Sequence, residues 1–168
     1  MLAIEKFKDD KEKNVLACKY KNEVRSLNEV VNNLDEVVPI DLTTRDGRRV
    51  YQRGILYVMA MAFYRVYPKA LLTVNCQLSN SIFCETDNMK ITNEVIENIK
   101  KEMIEIVKSD LPIKKIEMTK EEAEKFYQKE KTLRGRLQLD NKYKEEVSLY
   151  FCEDYYNYFY GVMPISTG

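Results

Sequence analysis

The chain contains no histidine. It therefore lacks the side chain that most often serves as a general base near neutral pH and as a zinc ligand. It also has no net charge, because 27 basic side chains balance 27 acidic ones. Bulk attraction to RNA or to an anionic membrane is excluded, and only a local patch could supply it. The four cysteines, Cys18, Cys76, Cys84 and Cys152, contain no Cys-x-x-Cys pair. Neither a zinc knuckle nor a dithiol redox motif is present, and with no secretory leader the thiols are expected to be reduced and mostly buried. Glycine is scarce, at positions 47, 54, 135, 161 and 168, and none precedes a lysine. A phosphate loop of the Gly-x-x-x-x-Gly-Lys-Ser/Thr kind is thus missing. The longest apolar run, Ile55 to Tyr64, falls well short of the roughly 20 residues that cross a bilayer. A soluble cytoplasmic chain without membrane contact is expected.

What is present reads as one domain plus a small attachment. Residues 2–8 form a short amphipathic helix pattern, and 9–14 a polar turn. Val15 to Tyr20 and Glu23 to Leu27 alternate as a hairpin across Lys21-Asn22, and Glu36 to Leu42 is a strand that Pro39 assigns to an edge. Arg45-Asp46-Gly47 carries a turn signal. Gly54 to Tyr67 is apolar on nearly every face, as a buried helix is, until Pro68 stops it. Ala70 to Gln77 and Ser81 to Glu85 predict a second hairpin, with Leu72, Val74 and Cys76 on one face. Thr92 caps a helix running to about Asp110, with Val95, Ile96, Ile99, Met103, Ile106 and Val107 as its apolar stripe. Ile113 to Met118 is a strand, and Thr119-Lys120-Glu121-Glu122 is a capping box that opens a helix to about Gln128. Glu146 to Cys152 and Tyr155 to Tyr160 pair across Glu153-Asp154. The fold class is α+β, mainly antiparallel, around a buried central helix.

Several of these stretches, in order, resemble the editing domain of threonyl-tRNA synthetases, which removes wrongly attached amino acids from tRNA. They are Asp46-Gly47-Arg48-Arg49-Val50-Tyr51, the Arg65-Val66-Tyr67-Pro68 helix end with its following strand, Glu97 to Pro112, Thr119 to Ala123, and the closing Tyr160-Gly161-Val162-Met163-Pro164-Ile165-Ser166-Thr167-Gly168. The resemblance implies that residues 1–45 are a partial TGS-like (ubiquitin-like) segment and residues 46–168 an editing-like domain. It also implies where the metal ligands of such domains would fall. A His-x-x-x-His pair would occupy Arg53 and Tyr57, and a Cys-x-x-x-His pair Phe159 and Met163. All four ligands are replaced, so the implied domain is degenerate, metal-free and not a hydrolase.

The phrases Val50-Tyr51-Gln52-Arg53, Phe83-Cys84-Glu85 and Asp154 to Gly161 resemble the N-terminal region of bacterial uridine kinase-like nucleoside kinases. That resemblance implies an accessory region of a longer chain, with regulatory, assembly or ligand-binding work. The kinase domain would be its covalent partner, and ATP and Mg would belong to that absent domain alone. The alternative is a retained tRNA-binding module.

The candidate sites are each open to two readings. Arg53, Tyr57, Phe159 and Met163 either form a residual pocket for a nucleoside-like ligand or small anion, or fill the space a metal would leave. Arg45, Arg48, Arg49 and Arg53 either form an RNA or anion patch, or a solvated turn paired with Asp41 and Asp46. Lys114-Lys115 and Arg134-Gly135-Arg136 are weaker basic pairs. Tyr150, Tyr156, Tyr158 and Tyr160 either stack bases on an exposed sheet face, dock a neighbouring domain or a second copy of the chain, or pack within a half-buried sheet.

Overall fold

A computed structural model describes residues 1–7, 14–78, 81–130, 139 and 145–168. The Arg134-Gly135-Arg136 pair and most of the polar turn at 9–14 lie outside the described residues, as does the side chain of Cys76.

The first unit begins with a 3-10 turn, Ala3–Phe7, in place of the expected amphipathic helix. Strands β1 (Ala17–Tyr20) and β2 (Glu23–Arg25) form the first hairpin. Lys21 and Asn22 both adopt positive φ, 51° and 64°, as the two central residues of a type I′ turn must. Strand β3 (Val37–Ile40) joins the other side of β1, so Pro39 does sit on an edge strand. Ala3, Cys18, Tyr20, Leu27 and Val31 make a small core beneath this sheet.

Helix α1 runs from Arg45 to Val66, nine residues earlier than the apolar run suggests. Arg45-Asp46-Gly47 is not a turn but its first turn. Thr44 is the N-cap, accepting from the Gly47 N–H at 3.0 Å, and Asp46 complements the positive end of the helix. Gly47 is required here by close approach, since a Cβ would lie 1.7 Å from the Asp41 carbonyl oxygen. Further along, Tyr57, Val58, Met61, Ala62 and Phe63 are buried and form the main core.

A two-stranded ribbon follows, β4 (Leu71–Leu78) with β5 (Ser81–Asp87). Its register shifts between Val74 and Cys76, so Asn75 is a bulge that interrupts the alternation predicted there. Helix α2 (Asn93–Lys108) starts at the Thr92 cap and packs on α1 through Ile99, Met103 and Ile106, whereas Ile96 and Val107 of the expected stripe are exposed. Arg65 ties α1 to α2 and to the later sheet, meeting Glu102 at 3.1 Å and Glu153 at 2.6 Å.

The last sheet has the order β6-β7-β8, with β6 (Lys114–Thr119), β7 (Glu146–Cys152) and β8 (Tyr155–Tyr158) all antiparallel. Helix α3 (Lys120–Glu130) opens with the reciprocal capping box: Thr119 N–H donates to the Glu122 carboxylate at 2.9 Å and Glu122 N–H to Thr119 Oγ1 at 3.2 Å. The sheet is covered on both faces. Tyr150, Cys152 and Tyr155 pack toward α1, and Val147, Leu149, Tyr156 and Tyr158 pack toward α3 and Leu139. The architecture is therefore α+β with antiparallel sheets, as expected.

Because the Gly47 site has no room for a methyl group, Gly47→Ala is expected to lower unfolding free energy by about 2 kcal/mol or more. Urea denaturation checks this; an unchanged midpoint would mean that the 41–44 loop yields freely.

Candidate functional site

The four residues placed by resemblance at ligand positions do come together, and they fill their own space. Tyr57 is fully buried. Its hydroxyl donates to the Tyr150 carbonyl at 3.0 Å and lies 3.4 Å from that of Tyr155, so it sits beneath the β7–β8 turn. The Tyr57 ring meets Tyr155 edge-on at 5.1 Å and Phe159 at 5.7 Å, and Met163 is buried in the same core. One helical turn earlier, Arg53 Nη1 donates to the Val162 carbonyl at 3.0 Å. Its guanidinium lies over Gly161, where a Cβ would approach to 2.9 Å and where φ is 89°. The Tyr150 hydroxyl donates to the Gly161 carbonyl at 2.5 Å. Residues 161–162 are thus held by one guanidinium and one phenol.

This donor set does not fit zinc. A guanidinium and a phenyl ring offer no lone pair to a metal, and a thioether is a poor zinc ligand. Burial raises the pKa of the Tyr57 phenol well above its ordinary value, so it stays protonated. Among the described residues, no group of three or more His, Cys, Asp or Glu is placed to hold a metal ion. Burial likewise raises the thiols of Cys18, Cys84 and Cys152 above the usual cysteine value, which lowers their thiolate fraction and nucleophilicity.

The Pro-Ile-Ser-Thr-Gly ending is packed against the C-terminus of α2. Thr167 Oγ1 donates to the Ile106 carbonyl at 2.8 Å and accepts from the Leu111 N–H at 2.9 Å. The Pro164 ring rests on Gly54 of α1, where a Cβ would come within 2.7 Å.

The arginines divide by role. Arg48 is spent on the cap loop, donating to the Thr43 carbonyl at 2.8 Å and to that of Leu42 at 3.3 Å. Arg45, Arg49 and Arg53 recur every fourth residue and share one ridge of α1. Arg49 meets Asp46 at 3.6 Å, an exposed pair of small energetic weight. Arg49, Gln52 and Arg53 also border a hollow of about 290 Å³ against Val74, Asn75 and Ile82 of the ribbon. This hollow escapes sequence reasoning, because nothing local brings α1 and the ribbon together.

Of the readings open for the tyrosines, the structure supports packing within the sheet. Tyr150, Tyr156 and Tyr158 are buried, and only Tyr160 of that group, 73% exposed, offers a ring to solvent. Tyr160 borders a larger cleft of about 720 Å³ between the first unit and β6–β7. Lys114 and Lys115 line it too, with Lys115 paired to Glu117 at 2.5 Å.

With this geometry in view, known proteins give a consistent comparison. No protein-family model matches the chain. It is 39% identical over 89 residues to a threonine–tRNA ligase of Symbiobacterium thermophilum, covering 51% of this chain and 14% of that protein. A Bifidobacterium longum threonine–tRNA ligase is 32% identical over 121 residues, 71% of this chain and 18% of its own length. The same enzyme from Clostridium novyi is 28% identical over 142 residues, 84% and 22%. The chain thus spans about a fifth or less of these relatives. It is similar to one part of threonine–tRNA ligases, and none of these three is a kinase. No helix among the described residues is long and apolar enough to cross a membrane.

Two outcomes check the buried cluster. Tyr57→Phe is expected to cost about 1 kcal/mol, because it removes a buried hydrogen bond between α1 and the last sheet; urea denaturation measures it. The Tyr150 phenol is pushed from 10.0 up to about 12, mainly by burial. A thiol or phenol that ionises in the unfolded chain first favours unfolding, so stability should begin to fall above about pH 9, where the unfolded thiols ionise, and fall more steeply above pH 10 as Tyr57 and Tyr150 join them. Unfolding free energy against pH tests this, and Tyr150→Phe should make the fall between pH 10 and 12 shallower without abolishing it.

Proposed function

We propose that this chain is a non-catalytic tRNA-binding module related to part of threonine–tRNA ligases. In this reading the exposed Arg45 and Arg49 of α1 contact RNA phosphates. The observation that carries the proposal is similarity over as much as 84% of the chain to enzymes named for acting on tRNA. Arg45 and Arg49, exposed and one helical turn apart, with Arg49 at the rim of the hollow against the ribbon, supply a surface for the contact. The absence of histidine, with Arg53, Tyr57, Phe159 and Met163 engaged in packing, argues against hydrolysis by the motif the resemblance implies. Residues 1–45 are the small TGS-like attachment and 46–168 the editing-like domain. The module works in the cytoplasm, without a cofactor and away from membranes.

A second reading keeps the same domain as an accessory region of a nucleoside kinase. It rests on the Val50-Tyr51-Gln52-Arg53, Phe83-Cys84-Glu85 and Asp154 to Gly161 phrases, and the threonine–tRNA ligases above add nothing to it. It requires a nucleoside-phosphorylating domain on the same polypeptide.

Bulk tRNA titrated into the protein at about 50 and 200 mM salt tests the first reading, since phosphate contacts weaken strongly over that range. Affinity should fall steeply, and Arg45→Ala or Arg49→Ala should each reduce the logarithmic salt slope by about 1. No binding at either salt, or binding indifferent to both substitutions, would overturn it. Mischarged tRNA should be hydrolysed no faster than in buffer; turnover would remove the non-catalytic assignment.

A further inference from the structure

The β4–β5 ribbon is a sheet of only two strands, and a free two-stranded hairpin is marginal in water. Its two outer edges differ sharply. The β4 edge is closed: the Leu72 N–H donates to the Tyr64 hydroxyl at 3.0 Å, the Leu72 carbonyl lies 3.4 Å from the same hydroxyl, and the Asn75 bulge breaks the line beyond. Among the described residues no strand pairs with the outer edge of β5, and that edge is regular. It carries no proline, lysine, arginine or bulge, the usual devices that keep an edge from pairing.

The register says which groups that edge offers. Leu72 turns its backbone N–H and carbonyl away from β5, so its partner Thr86 does the same on the opposite side. Counting back by twos along β5, Cys84 and Ile82 also face outward. Three consecutive outward residues centred on Cys84 are self-complementary. A second β5 laid antiparallel about a two-fold axis at Cys84 pairs Ile82 with Thr86, Cys84 with Cys84 and Thr86 with Ile82, giving about six backbone hydrogen bonds.

Charge agrees with this register. The pairing sets Glu85 opposite Phe83 and Asp87 opposite Ser81, so no carboxylate directly faces another. Phe83, 44% exposed on the ribbon, then gains a cross-strand neighbour whose methylenes cover it. We propose that two copies of this chain associate through their β5 edges, joining two ribbons into one four-stranded antiparallel sheet. A seven-residue edge with little side-chain cover falls below the roughly 800 Å² per partner of a standard interface. The dimer is therefore reversible and concentration-dependent.

Sedimentation of the protein from about 1 to 500 µM should show a monomer–dimer equilibrium. Phe83→Lys and Thr86→Pro, each checked for folding by circular dichroism, should weaken it at least about tenfold. In the native protein, amide exchange at Ile82, Cys84 and Thr86 should slow as concentration rises, while exchange at Phe83 and Glu85, already paired with β4, stays constant. Diamide, which takes two electrons and two protons from a thiol pair, should trap a dimer that Cys84→Ser cannot form. A protein monomeric throughout this range, or a dimer unaffected by either edge substitution and without concentration-dependent exchange at the three amides, would overturn the proposal.

Discussion

One buried phenol and one guanidinium hold the centre of this molecule. Tyr57 reaches from α1 to the carbonyl of Tyr150 beneath the β7–β8 turn, and Arg53, a turn earlier, reaches the Val162 carbonyl. These bonds connect residues 93 and 109 positions apart in the chain. They fix the helix against both the last sheet and the segment that leaves it. Each bond is worth about 1 kcal/mol and, more to the point, holds together segments that no local interaction would join. Gly161 and Gly54 follow from the same constraint: one must admit the guanidinium, the other the Pro164 ring.

The resemblance to editing domains gives this clamp its meaning. Where such domains would gather a metal, this chain gathers hydrogen-bond donors and apolar rings. A metal cross-links elements by coordination, and here carbonyl acceptors and edge-on aromatic contacts join the same segments. The closing Ser-Thr-Gly persists with a structural task, since Thr167 satisfies the end of α2. The arginines at 45 and 49 lie exposed on the outer side of α1, away from this packed centre.

Legibility from sequence followed the range of the interactions. Lys21-Asn22, Thr92 and Thr119 with Glu122 announce their turns and caps within four residues, and each is found where the sequence puts it. The start of α1 is hidden from sequence because Asp46-Gly47 is a turn signal by composition, although Thr44 caps a helix there. Gly47 stands in the helix because of Asp41, a contact that composition does not report. The tyrosines were open between stacking platform and core because period-2 alternation is the same for a sheet covered on one face or two. Only tertiary packing of α1 and α3 on opposite sides decides it. The resemblance brings the four clustered residues together, but that Tyr57 donates to the Tyr150 carbonyl has no local signature.

The most direct test of the clamp is thermal unfolding of the native protein in excess zinc and, separately, in a strong chelator. A site built from Arg53, Tyr57, Phe159 and Met163 gives a midpoint that neither treatment moves. A ligand that binds only the folded state stabilises it by mass action. A midpoint raised by zinc or lowered by the chelator would therefore contradict the account, because it would show a metal integral to the fold.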